Sequence, residues 1–90
     1  MTELRFTNHA LERMFKRSIS PGECEEVFRQ GRTIEAYPDD EPFPSELRFG
    51  QVGDKMIHLV VAFGENAVHV ITAYEPNPAL WDEGFTKRKK

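Results

Sequence analysis

Cysteine is nearly absent: Cys24 is the single one in 90 residues. One thiol excludes an internal disulfide and cannot by itself make a zinc site, so the chain makes no demand for an oxidising compartment. Long apolar runs are missing too. The longest, LVVAF at 59–63, falls far short of the roughly 18 residues that would suggest a membrane span. The chain opens without a charged-then-apolar leader, which makes the cytoplasm the expected location and a membrane an unexpected partner. No internal repeat and no low-complexity segment interrupts it. What is present, 39% hydrophobic and 30% charged residues, suits one small domain over residues 1–90.

The net charge of -3 argues weakly against a nucleic-acid partner, but the charges are segregated. Residues 1–34 carry six Lys/Arg against five Asp/Glu, residues 35–83 carry two against ten, and residues 84–90 carry four against none. The closing TKRKK reads as a flexible solubilising tail that adds non-specific phosphate affinity at most.

Two helices are predicted first. Thr7 or Asn8 caps a helix running to about Arg17, with Leu11, Met14 and Phe15 as its apolar stripe. Ser20, Pro21 and Glu23 form the N-cap, first-turn proline and capping-box glutamate of a second helix, which buries Cys24, Val27 and Phe28 and stops at Gly31. In that position Cys24 reads as a small core residue rather than a nucleophile. Four extended segments follow: RTIEAY, SELRFGQV, KMIHLVVAF and AVHVITAY. The proline-rich acidic YPDDEPFP is a loop, Gly53-Asp54 is a two-residue hairpin turn, and GEN at 64–66 makes a second hairpin. Trp81 and Phe85 belong to a C-terminal segment that covers part of the domain. The expected fold is α+β, with two N-terminal helices on one face of a four-stranded antiparallel sheet.

Within the first helix, HALERMFKR spaces His9, Arg13 and Arg17 four residues apart, so the three share one stripe. Turn geometry supplies the other half of a site. A two-residue turn at Gly53-Asp54 sets Arg48 opposite Leu59, and a two-residue turn at Glu65-Asn66 sets Leu59 opposite Thr72 and Ile57 opposite Tyr74. Arg48, Thr72 and Tyr74 then share a face with Val61, Phe63, Val68 and Val70; a three-residue GEN loop instead brings Thr72 to face His58. Structural alternatives exist for each residue. His9 can bond backbone while Arg13 and Arg17 pair with Asp39, Asp40, Glu41, Glu12 or Glu46. Tyr74 can be a core aromatic with a wet hydroxyl, and His58 and His69 ordinary sheet residues. A zinc site from His9, His58, His69 and Cys24 has no close-spaced ligand pair to recommend it, and neither metal nor cofactor is expected.

The order of elements resembles the barnase, RelE and EndoU grouping of small metal-independent RNases and toxins. HALERMFKRSIS together with the closing VITAYEP resembles, over residues 6–81, a small bacterial family of domains of unknown function. Its members are similar to RelE/ParE-type toxins, some of them encoded beside MqsA-like zinc-finger antitoxins. The resemblance implies site residues His9 and Arg13 on the helix and Thr72 and Tyr74 on the last strand, with RNA and a cognate antitoxin as partners.

Metal-free RNA cleavage needs a base for the 2′-hydroxyl, an acid for the leaving 5′-oxygen, and cations for the phosphate. His9 suits proton transfer near neutral pH, and Arg13 suits bidentate phosphate binding. Arg17 or Arg48 supplies a second clamp; Tyr74 positions the phosphate or stacks on a base, and Thr72 donates a hydrogen bond. A second proton-transfer group is not evident. The expected function is therefore a metal-independent endoribonuclease toxin held by an antitoxin. The rivals are a non-catalytic interaction module, binding through the edge strand and acidic loop, and a ParE-like toxin that blocks a protein target.

Overall fold

The structure, a computed structural model, describes residues 3–81 and residue 84. Its elements are β1 (Leu4–Phe6), α1 (Asn8–Lys16), α2 (Pro21–Gln30), β2 (Arg32–Tyr37), β3 (Ser45–Val52), β4 (Lys55–Phe63) and β5 (Val68–Tyr74). The strands form one sheet in the order β1-β5-β4-β3-β2. The fold remains α+β, but the expected four-stranded antiparallel sheet is corrected to a five-stranded mixed one. The extra strand, LRF, pairs parallel to β5 with Leu4 opposite Val68, Arg5 opposite His69 and Phe6 opposite Val70. Three residues are too few to show alternation, and parallel pairing with the far end of the chain leaves no turn to signal it.

Both helices begin where their caps dictate. Thr7 accepts the Ala10 N–H at 3.0 Å, and Ser20 and Glu23 complete a reciprocal capping box around Pro21. α1 ends as Ser18 enters the left-handed region at φ 57° and the Ile19 N–H returns to the Met14 carbonyl at 2.9 Å. The helices pack on one sheet face, α1 against β5 and α2 against β3 and β4. Ala10, Met14, Ile19, Cys24 and Val27 meet Leu4, Ile57, Leu59, Val61, Val68, Val70 and Ala73 there. The helix stripe is corrected in one respect. Ala10 and Met14 are buried, whereas Leu11 is 38% and Phe15 86% exposed, so the stripe's outer edge faces solvent.

The β3–β4 hairpin turns at Gly53-Asp54 as expected: Val52 lies opposite Lys55 and Arg48 opposite Leu59, with Gly53 at φ 60°, a conformation that suits glycine. The β4–β5 hairpin also closes as expected, with Gly64 N–H donating to the Ala67 carbonyl at 3.0 Å and Phe63 opposite Val68. Beyond Val61 and Val70 the register shifts, because Ile71 is inserted as an extra residue on β5. Val60 then pairs with Thr72, Leu59 with Ala73 and His58 with Tyr74. This single bulge decides which side chains meet.

Among the described residues no helix is long and apolar enough to cross a membrane. Phe85 and the basic tail after residue 84 lie outside the described residues.

Candidate functional site

Paired residues share a sheet face, and period-two alternation carries the assignment along each strand. Arg48, Leu59 and Ala73 therefore lie on the helix-covered face, and Phe49, His58, Val60, Thr72 and Tyr74 on the opposite, outer face. The expectation that Arg48 shares a face with Thr72 and Tyr74 is corrected: an inserted residue reverses every side chain beyond it, and neither turn reveals the insertion.

On the helix side Arg48 is committed to structure. Its Nη1 lies 3.3 Å from the Glu46 carboxylate, its guanidinium carbon sits 4.8 Å from the centre of the Phe28 ring, and its Nε is buried with no hydrogen-bond partner among the described residues. A second phosphate clamp at this position would have to break the ion pair and the ring contact.

Arg17 behaves differently. β1 pairs with only Val68–Val70 of β5, and further along the strand the half-buried Arg17 lies against it. Its Nη1 donates to the Ala73 carbonyl at 2.9 Å and to Thr72 Oγ1 at 3.1 Å. The stripe on α1 is thus tied to β5 at its C-terminal end. Arg13 and His9, one and two turns toward the N-terminus, are exposed. Among the described residues no ion pair joins Arg13 or Arg17 to Asp39, Asp40, Glu41, Glu12 or Glu46. The acidic loop is occupied otherwise, with Asp40 accepting from Ser45 Oγ at 2.7 Å.

Two residues beyond Thr72, Tyr74 continues along the outer face. Its hydroxyl lies 3.3 Å from His58 Nδ1. His58 is fully buried, enclosed edge-on by Phe49, Tyr74 and Trp81, the last at 4.4 Å between ring centres. The C-terminal segment therefore covers part of the domain through Trp81, as expected from the sequence. His58 is the residue that sequence reasoning did not place in the site. Its pairing with Tyr74 depends on the Ile71 bulge, and a histidine inside the β-branched run of β4 gives no local sign of a tyrosine across the ladder.

Cys24 lies in the core. Burial, reinforced by the Glu23 and Glu25 charges, pushes its thiol up to about 12, which leaves no thiolate for nucleophilic work near neutral pH. The outer face thus offers an ordered row, Arg17 reaching Thr72 from the end of α1 and then Tyr74 on His58, while His9 and Arg13 are exposed on α1 itself. Such a row can hold an anion and position a proton-bearing phenol.

A family model described as Domain of unknown function (DUF4258) matches residues 6–75, which takes in α1, α2 and all of β5. The chain belongs to the DUF4258 family. No curated protein and no solved structure matches it. The matched span contains each of His9, Arg13, Arg17, Arg48, His58, Thr72 and Tyr74, and Trp81, which closes over His58, lies beyond it.

Proposed function

We propose that this DUF4258 protein is a RelE-like toxin of a toxin–antitoxin pair, a metal-independent endoribonuclease whose substrate lies against α1 and the outer face of β5. The observation that carries the reading is the double hydrogen bond from Arg17 to Thr72 and Ala73. It ties the His9–Arg13–Arg17 stripe to the strand that bears Tyr74. Arg48, on the opposite face of the sheet from Thr72 and Tyr74, takes no part in this reading.

In the proposed cleavage, the 2′-oxygen attacks phosphorus, the bond to the 5′-oxygen breaks, and a 2′,3′-cyclic phosphate forms. His9 takes the 2′-hydroxyl proton, and Arg13 with Arg17 neutralises the charge that gathers on the phosphate. Tyr74 gives its proton to the leaving 5′-oxygen. That role selects a tautomer: with the proton on His58 Nδ1, the phenol accepts from His58 and donates to the leaving group. His58 is a positioning residue, buried away from substrate.

Expression in bacteria with and without substitutions tests the reading. Wild-type protein is expected to arrest growth and to cut RNA in EDTA. His9→Ala, Arg17→Ala and Tyr74→Phe each lower cleavage by on the order of a hundredfold or more, the scale of one proton-transfer group. Folded wild-type protein that leaves RNA intact overturns it.

One observation favours a second reading, a module that acts by docking another protein. A cavity of about 720 Å³ between α1 and α2 is lined by Leu11, Met14, Phe15, Ile19 and Pro21, and Phe15 stands exposed at its rim. Apolar surface of this kind marks interaction sites. Growth arrest without RNA cleavage, abolished by Phe15→Ser, selects this reading.

A further inference from the structure

The parallel β1–β5 pairing puts Arg5 beside His69 at the end of the outer face remote from Tyr74, while Leu4 and Phe6 turn into the core. Opposite His69 on β4 stands only Ala62, so nothing large fills the floor there. Phe43, from the loop between β2 and β3, closes the far side. Its ring is nearly parallel to that of His69, 13° apart with centres separated by 6.2 Å. A base stacked on either ring is therefore parallel to the other. On the hairpin side the Gly64 backbone comes close to the His69 ring: a Cβ there would lie 2.8 Å from His69 Nε2. The result is a pocket of about 290 Å³ lined by Arg5, Phe43, Glu65, Asn66, Ala67 and His69.

The chemistry of this lining is a recognisable combination. Two aromatic rings offer stacking surfaces to a planar heterocycle, the Asn66 amide supplies both a donor and an acceptor, and the Glu65 carboxylate accepts. Arg5, whose side chain is 61% exposed, reaches the Glu3 carboxylate only at 4.0 Å, so its guanidinium keeps donors suited to a phosphate. We infer that this pocket binds an unpaired nucleobase carrying a phosphate. His69 and Thr72 are three residues apart on the outer face of β5, about 10 Å along the strand. That spans on the order of one or two nucleotides of an extended chain, so the pocket is a base subsite beside the proposed cleavage locus. In this respect the inference rests on the RNA reading.

The same chemistry comes from a free nucleotide or from a single strand, and amide NMR separates them. Labelled wild-type protein is titrated with adenosine 5′-monophosphate and, separately, with a 2′-O-methylated RNA decamer that lacks the attacking hydroxyl. Shifts concentrated at Arg5, Asn66, Ala67 and His69 are expected. A response to the monophosphate assigns a nucleotide pocket, and a response to the decamer alone assigns a strand subsite. Phe43→Leu keeps an apolar side chain in the loop but removes the ring, and it weakens decamer binding about tenfold, the scale of one stacked base. His69→Ala does the same in protein whose remaining amide spectrum is unchanged. Amides that stay still with both probes, or a Phe43→Leu variant that binds as tightly as wild type, overturn the inference. RNA cleavage with a silent pocket sinks the subsite and leaves the nuclease standing; a pocket that binds bases in a protein that never cuts RNA does the reverse.

Discussion

The helix-covered face of the sheet presents Ile57, Leu59, Val61, Val68 and Val70, all buried, whereas on the outer face Leu47 and His58 are buried and Phe49, Val60, Thr72 and Tyr74 half-buried. Apart from the Arg48–Glu46 pair, the first face is aliphatic and shielded by α1 and α2; the other mixes rings, a hydroxyl and a phenol under partial cover. The contrast separates the work of the two layers. Aliphatic side chains without polar atoms can be removed from water completely, and each fully buried one stabilises the fold by roughly 1.5–3 kcal/mol. Polar and aromatic groups that stay half-exposed contribute less to stability but remain able to meet a ligand.

The largest test of that division is Leu59→Ala, which should cost about 2–5 kcal/mol because the residue is fully enclosed between the helices and the sheet. Its neighbour Val60 points the other way and is only half-buried, so Val60→Ala should cost less than about 1 kcal/mol. Urea denaturation of both variants measures the difference; equal losses would mean that the outer face is as tightly packed as the inner.

His58→Ala should fall between these values, at about 1–3 kcal/mol. It removes the Nδ1 partner of the Tyr74 hydroxyl and opens a space beneath Trp81. Trp81 is the single tryptophan, so its fluorescence should shift to the red as water reaches the ring. Unchanged emission would show that Trp81 does not rest on His58 in solution.

Much of this architecture was legible because it is local. Ser20, Pro21 and Glu23 announce a helix start through side-chain chemistry within four residues, and Gly53-Asp54 sets the β3–β4 register by itself. What was hidden depends on distant partners. Leu4–Phe6 becomes a strand only because Val68–Val70 offers an edge to it. Ile71 is an ordinary strand residue by type, and nothing in VITAY shows that it will be the unpaired one. The consequence for the candidate site was uneven: Thr72, Tyr74 and Arg17 stayed together, Arg48 was moved to the inner face, and His58 entered. The exposure of Phe15 has a related cause. Helical periodicity shows which side chains share a stripe, but how far the stripe is covered depends on the neighbouring elements.

A smaller effect comes from Glu23, in the first turn of α2, beside Lys55 at the start of β4. Its carboxylate accepts the Ser20 N–H at 2.9 Å and pairs with Lys55 at 3.1 Å. The backbone hydrogen bond foremost, then Lys55, holds its pKa below the ordinary glutamate value, against the opposing effect of burial. A depressed pKa means that the charged carboxylate stabilises the folded protein above the unfolded-state value, and that this contribution disappears as pH falls through the lowered one. Glu23→Ala should therefore cost about 1 kcal/mol at pH 7, and the gap to wild type should close as the pH drops below about 4.5. A gap that persists at pH 2 would assign the loss to packing rather than to charge.

Phe15→Ser should change least. Phenylalanine and serine have similar helix propensities, and a ring 86% exposed forfeits little burial, so the expected change lies within about 0.5 kcal/mol. The value of so small a number is what a larger one would mean. If the substitution destabilises the protein by more than about 1 kcal/mol, the ring is covered in solution by something outside the monomer. A second copy would then make the melting temperature of wild type rise with protein concentration, and Phe15→Ser would abolish that dependence. If instead the variant melts as wild type does at every concentration, the α1–α2 cavity is open in the isolated chain. Its apolar surface then remains exposed for another protein to cover, whichever face of the sheet does the chemistry.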